Sequence, residues 1–272
     1  MKDSYACALE FHKHGDFDKA LEYFEKAIHE EPDSPEIFRD YGLLLIDVER
    51  YEEALDALNR SLTIKRDPFS LFLKAKALYS LGDLQQSEEL FLEVKPLLKG
   101  AVNVSAVLGD LYIDAENYPR AIEEYKESIG EDPFSPHLYN NLALSYFQNG
   151  ELDKAIETIR TAISIDPDNA ELYDNLGVML YEAGEKSESI EALSKAIELD
   201  PDFSQAHCDL CLVYYDLEHL EEAAEEIRKA IALAPDDPVY RAILSNIFLK
   251  MGKIEEAKHE MDKLKDLLKP DE

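Results

Sequence analysis

The chain has 272 residues, of which 59 are acidic and 28 basic, giving a formal net charge of −31. A field of that sign repels nucleic acid and anionic lipid and attracts cationic partners. Three cysteines do not make a disulfide framework, and no run of about 18 uncharged apolar residues offers a membrane span.

Taken in chain order, the sequence is eight copies of one 34-residue pattern. The opening Met1-Lys2-Asp3-Ser4 leads straight into the first copy with no apolar core of a secretory signal, so the expected compartment is the reducing cytoplasm. In that copy Ala8 and Ala20 are small, while Phe11 and Phe24 are large and apolar. The small site at position 8 returns as Gly42, Ala75, Gly109, Ala143, Gly177, Cys211 and Ser245. The one at position 20 returns as Ala54, Ser87, Ala121, Ala155, Ser189, Ala223 and Ala257. Large residues recur at positions 11 and 24, for example Leu45 with Leu58 and Leu180 with Leu193.

The second copy is one residue short and ends at Asp67. The third carries Pro96 inside its second helical stretch, which predicts a helix end near Lys95 and a connector over Pro96–Gly100. The expected division is therefore 1–101 and 102–272, with either a hinge or a rigid kink at the join. The fifth copy shows the unit most plainly. Leu138, Leu142 and Tyr146, then Ile156, Ile159 and Ile163, recur at helical spacing. Asn149-Gly150 marks the turn between the two helices, and Asp166-Pro167-Asp168 closes the repeat. Such a pair cannot bury its apolar face alone, so neighbours must stack into one elongated core.

With Pro32, Pro133, Pro167, Pro201 and Pro235 at the closing position, the pattern resembles the tetratricopeptide repeat along nearly the whole chain. It departs from that family in having no Trp at position 4, where Phe38, Tyr139 and Tyr173 stand. The resemblance implies an all-α, right-handed α-solenoid (superhelix) of eight helix-turn-helix units, with the first helix of each lining a concave groove. It further implies a non-catalytic protein-interaction scaffold that needs no cofactor.

Read onto that groove, position 6 presents Asn141, Asn175 and Asp209, a polar ladder whose asparagine amides are able to hold the backbone of an extended peptide. Position 12 presents Phe147, Tyr181 and Tyr215, broad surfaces for apolar or cationic side chains. Asn140, Asp110 and Asp174 lie beside them. Most of the negative charge falls within residues 102–237, so the expected partner is a protein or peptide with a basic segment. Two plainer readings stand beside this one: the position-12 aromatics pad the next repeat, and the position-6 residues bridge neighbouring helices. A carboxylate clamp, which the resemblance would also allow, needs Lys, Asn, Asn, Lys and Arg where repeats five to seven place Asn140, Leu144, Asn175, Gln205 and Asp209, so with an acid in place of a base an acidic tail is not the expected partner.

His207-Cys208-Asp209-Leu210-Cys211 has CxxC spacing but no second cysteine or histidine pair to complete a metal set. Ordinary structural cysteines are expected. A structural alternative to peptide capture is self-assembly. The last helical stretch carries Ile254, Ala257, Met261, Leu264 and Leu268 on one face, but its opposite face is strongly charged, so a capped monomer is expected.

Overall fold

A computed structural model describes residues 3–268. Among them lie sixteen α-helices and no strand. The chain divides into two compact units at Glu131/Asp132. The join expected after Ala101 thus falls within the first unit.

The first unit holds α1 (Ser4–Lys13), α2 (Phe17–Glu30), α3 (Pro35–Asp47), α4 (Tyr51–Ile64), α5 (Pro68–Ser80), α6 (Leu84–Val94), α7 (Val104–Asp114) and α8 (Tyr118–Glu131). The second holds α9 (Pro136–Gln148), α10 (Leu152–Ile165), α11 (Ala170–Glu182), α12 (Lys186–Leu199), α13 (Ser204–Asp216), α14 (Leu220–Leu233), α15 (Pro238–Lys250) and α16 (Ile254–Leu267). Each odd-numbered helix packs on the even-numbered one that follows it, so each unit is a stack of four helix pairs. No described helix is long and apolar enough to cross a membrane.

Local chemistry sets the helix ends. Pro35, Pro68, Pro136 and Pro238 occupy the first turn of α3, α5, α9 and α15, where a missing N–H costs nothing. Asp67 accepts from the backbone N–H groups of Phe69 and Ser70 at 3.0 Å each, capping α5. Between paired helices the chain turns through a left-handed residue at repeat position 15. Five of these are glycines, Gly150 among them at φ +77°, but Glu49, Glu116 and Glu218 adopt φ of 60°, 53° and 61° at the same place. α6 stops at Val94, and its 11 residues contrast with the 14 of every other even-numbered helix. Pro96 cannot donate within a continuing helix, which explains the stop. Lys95 then fixes the connector by pairing with Glu124 at 2.6 Å and Glu127 at 2.9 Å on α8.

The small positions are where paired helices meet. A Cβ added at Gly177 would lie 2.5 Å from Leu193 Cγ, at Gly42 2.7 Å from Leu58 Cγ, and at Gly109 2.6 Å from Tyr125 Cε1. Position 8 therefore receives the large side chain of position 24. Where position 20 is serine, its hydroxyl caps the contact: Ser87 donates to the Ala75 carbonyl at 2.9 Å and Ser189 to the Gly177 carbonyl at 2.7 Å. These side chains are fully buried, so each crossing is dry and closely fitted.

Candidate interaction groove

Within the second unit α11 lies against both α9 and α13, so the first helices of successive repeats form one continuous face. Their contacts follow a single register. Residue 5 of one repeat meets residue 6 of the next, and residue 12 meets residue 13 of the next. Both pairings are 35 residues apart.

At the α9–α11 joint, Asn175 Nδ2 donates to Asn140 Oδ1 at 2.9 Å, and Asn140 is 95% buried by that packing. At the α11–α13 joint the same register carries Asp174 and Asp209. Farther along this joint the Tyr181 hydroxyl donates to Asp216 Oδ2 at 2.7 Å, with Lys186 Nζ 3.3 Å from the same oxygen. The tyrosine hydroxyl is the main influence holding the Asp216 carboxyl below its ordinary range, helped by Lys186. Lys250 of α15 sits 4.3 Å from the centre of the Tyr215 ring and donates to the Tyr215 carbonyl at 3.4 Å.

The first unit repeats the register with other chemistry. Tyr5 donates to Asp40 at 2.5 Å, His12 Nε2 lies 2.7 Å from Asp47 Oδ2, and the Tyr79 hydroxyl reaches Asp114. Complementary side chains 35 residues apart are the signal that repeat positions taken singly did not reveal.

The residues expected to form the groove are distributed as follows. Asn140, Asn141, Phe147, Asp174, Asn175, Tyr181, Asp209 and Tyr215 all lie on α9, α11 and α13. Asp110 belongs to the first unit, where it accepts from the Tyr125 hydroxyl at 2.5 Å. Asn141, Asn175, Phe147, Tyr181, Asp209 and Tyr215 are half-buried. The backbone carbonyl of Asn141 accepts from Ser145 at 2.7 Å. Asn175 gives one amide hydrogen to Asn140, which leaves its second hydrogen and its oxygen outside that bond.

Asp174 is 5% exposed, and its Oδ1 is buried without a hydrogen-bond partner. Burial, then the charges of Asp209 and Glu171, push its carboxyl up to about 7. Burial also raises Asp209, opposed by a hydrogen bond from Gln205 Nε2 at 3.0 Å. The neighbouring thiols are sequestered. Cys208 and Cys211 are buried, and burial pushes both up to about 12, far from the thiolate that redox or metal chemistry needs. His207 is packed between Glu226, 2.7 Å from its Nδ1, and the Pro201 carbonyl, 3.3 Å from its Nε2.

Comparison with known proteins agrees with this architecture. Models of the tetratricopeptide repeat match residues 11–77, 107–170 and 180–247. The TPR repeat-containing protein YpiA of Bacillus subtilis is 26% identical over 155 residues, covering 56% of this chain and 37% of YpiA. The BBSome complex member BBS4 of Mus musculus is 28% identical over 148 residues, covering 51% of this chain and 27% of BBS4. The chain thus spans between a quarter and two fifths of these curated relatives. A crystal structure of a tetratricopeptide repeat protein from Parabacteroides merdae superposes with a TM-score of 0.67 at 17% identity, covering 90% of this chain and 99% of that one. That likeness is one of fold.

Proposed function

This chain belongs to the tetratricopeptide-repeat family, and on that premise we propose that it is a scaffold whose second unit receives an extended, basic segment of a partner protein. Proteins of this family generally act as non-catalytic protein-interaction scaffolds. The segment would run along α9, α11 and α13. Asn141 and Asn175 would hold its main chain, because an amide can both donate to and accept from any peptide unit. Phe147, Tyr181 and Tyr215 would supply contact area, and Asp174 and Asp209 would select positive charge.

One observation carries this reading: half-buried amides, half-buried aromatics and an acidic pair lie together on three neighbouring helices. The test is a pull-down from native lysate with wild type beside Asn141→Ala/Asn175→Ala/Asp209→Ala, the variant's fold being checked by circular dichroism. Partners lost only with the variant support the groove. Partners kept equally by both proteins move the site elsewhere.

Self-assembly is the second reading. On α16, Ile254 and Met261 are exposed while Ala257 is buried against the core. Light scattering over a range of concentrations separates the two, since a constant monomer mass removes self-assembly.

A further inference from the structure

Resting on the groove reading above, we propose that Asp174 and Asp209 form a pocket for one cationic side chain of the bound segment, a lysine ammonium or an arginine guanidinium.

The register of the helix joints leads to this pair. At the α9–α11 joint, positions 5 and 6 are occupied by two amides that satisfy each other, Asn175 Nδ2 to Asn140 Oδ1 at 2.9 Å. At the first joint of the chain a phenol and a carboxylate do the same, Tyr5 to Asp40 at 2.5 Å. In both cases a donor faces an acceptor. Asp174 and Asp209 occupy the corresponding places between α11 and α13, and ionised carboxylates can only accept. While both are ionised the joint therefore lacks a donor, and Asp174 Oδ1 is buried without a hydrogen-bond partner. Gln205 donates a side-chain hydrogen bond to Asp209 from an amide that carries no charge.

Among the described residues no cation of the chain itself fills the gap. The charges acting on Asp174 are those of Asp209 and Glu171, both negative. Lys186 is engaged with Asp216, and Lys250 lies over Tyr215 within 3.8 Å of Glu218. A buried acid with an open acceptor and no internal counter-ion is a costly arrangement, and an external cation relieves it. An ammonium or guanidinium brings several donors at once and meets both carboxylates. A divalent metal fits less well, because no group of three or more candidate ligands forms among the described residues. Tyr181 stands about two turns beyond Asp174 on α11, and Tyr215 follows Asp209 on α13; in the proposed pocket these rings would cover the aliphatic stem of such a side chain.

The experiment is selection of short random peptides displayed on phage against the full chain, as wild type and as Asp174→Asn/Asp209→Asn. Asparagine at both places copies the Asn140–Asn175 pair, which closes the joint, and cooperative thermal unfolding at or above the wild-type midpoint verifies the fold. The expected result is a wild-type consensus with one fixed Lys or Arg, absent from the peptides the variant selects. Replacing that residue by norleucine in a synthetic consensus peptide should weaken wild-type binding at least about tenfold and leave the variant's binding nearly unchanged. A consensus that needs Asn141 and Asn175 but has no fixed basic residue overturns the pocket and keeps the groove. The same basic consensus from both proteins also overturns the pocket. If neither protein enriches any peptide, the groove reading fails and the pocket with it.

Discussion

Asn175 donates its side-chain amide to Asn140 across 2.9 Å, joining the first helices of two successive repeats. One repeat later the equivalent residues are Asp174 and Asp209, which cannot make such a bond while ionised. The groove thus contains a closed joint beside one that lacks a donor.

That contrast has a measurable pH signature. The Asp174 carboxyl is pushed up to about 7 from an ordinary 3.8, by burial first and then by Asp209 and Glu171. The folded chain therefore keeps a proton that the unfolded chain has released. The resulting stabilisation is fully present below the unfolded value and is lost as pH rises through about 7. Asp174→Asn should consequently raise stability by about 1–3 kcal/mol at pH 8 and by clearly less at pH 5. Urea unfolding of both proteins at the two pH values checks this, and an equal effect at both would show that Asp174 is not the group responsible.

A second prediction concerns the helix crossing. A Cβ at Gly177 would meet Leu193 Cγ at 2.5 Å and Cδ2 at 2.7 Å. Gly177→Ala should destabilise by about 1–3 kcal/mol, even though alanine is the better helix former. Adding Leu193→Ala should recover part of that loss, because the overlap disappears with the larger side chain. Thermal unfolding of the single and double variants reads the coupling. Strict additivity would mean that the two positions do not share a contact.

How much of this was legible follows from the same residues. Gly177 and Leu193 stand at positions 8 and 24 of a repeat seen eight times, so the paired helices and their crossings could be read from spacing. Pro96 likewise marks the end of α6 within one residue of the place expected. The groove was legible only one position at a time. Asn175, Asp209 and Tyr181 read as polar or aromatic residues on a helix face. Their counterparts Asn140, Asp174 and Asp216 emerge only when residues 35 apart are compared, which shows complementary pairs at Asn140/Asn175 and Tyr181/Asp216 and two acceptors at Asp174/Asp209. The burial of Asp174 could not be read at all, because an acid at a groove position looks solvated until the neighbouring repeat is laid against it. The division at Glu131/Asp132 leaves no mark either. Asp132-Pro133-Phe134-Ser135 looks like the ordinary closing turn Asp166-Pro167-Asp168-Asn169.

The turns supply a third prediction. Glu116 is held at φ 53°, where an L side chain is strained and glycine is not. Glu116→Gly should stabilise the chain by about 0.5–1 kcal/mol, and Gly150→Ala, at φ +77°, should destabilise it by a similar amount. Chemical denaturation midpoints at constant m-value check both. A destabilising Glu116→Gly or a stabilising Gly150→Ala would indicate that turn strain does not govern these positions.

A fourth prediction tests the second pairing register. Tyr181→Phe removes the donor to Asp216, so the Asp216 carboxyl should move up toward its ordinary value, with Lys186 and Lys250 still holding it down. The stability cost should be about 0.5–1.5 kcal/mol at neutral pH. Carboxyl carbon shifts followed through an acid titration report the change at that residue. An unmoved Asp216 would show that the phenol does not act on it.

The central claim, that a basic extended segment lies along α9, α11 and α13, is tested most directly by NMR. A basic segment identified by capture or selection is titrated, as a synthetic peptide, into protein labelled at asparagine side-chain amides and aromatic rings. The account predicts saturable shifts at Asn141, Asn175, Phe147, Tyr181 and Tyr215, with the outer helices α10, α12 and α14 little affected. Shifts confined to those outer helices, with the asparagine amides unmoved at saturation, would contradict it.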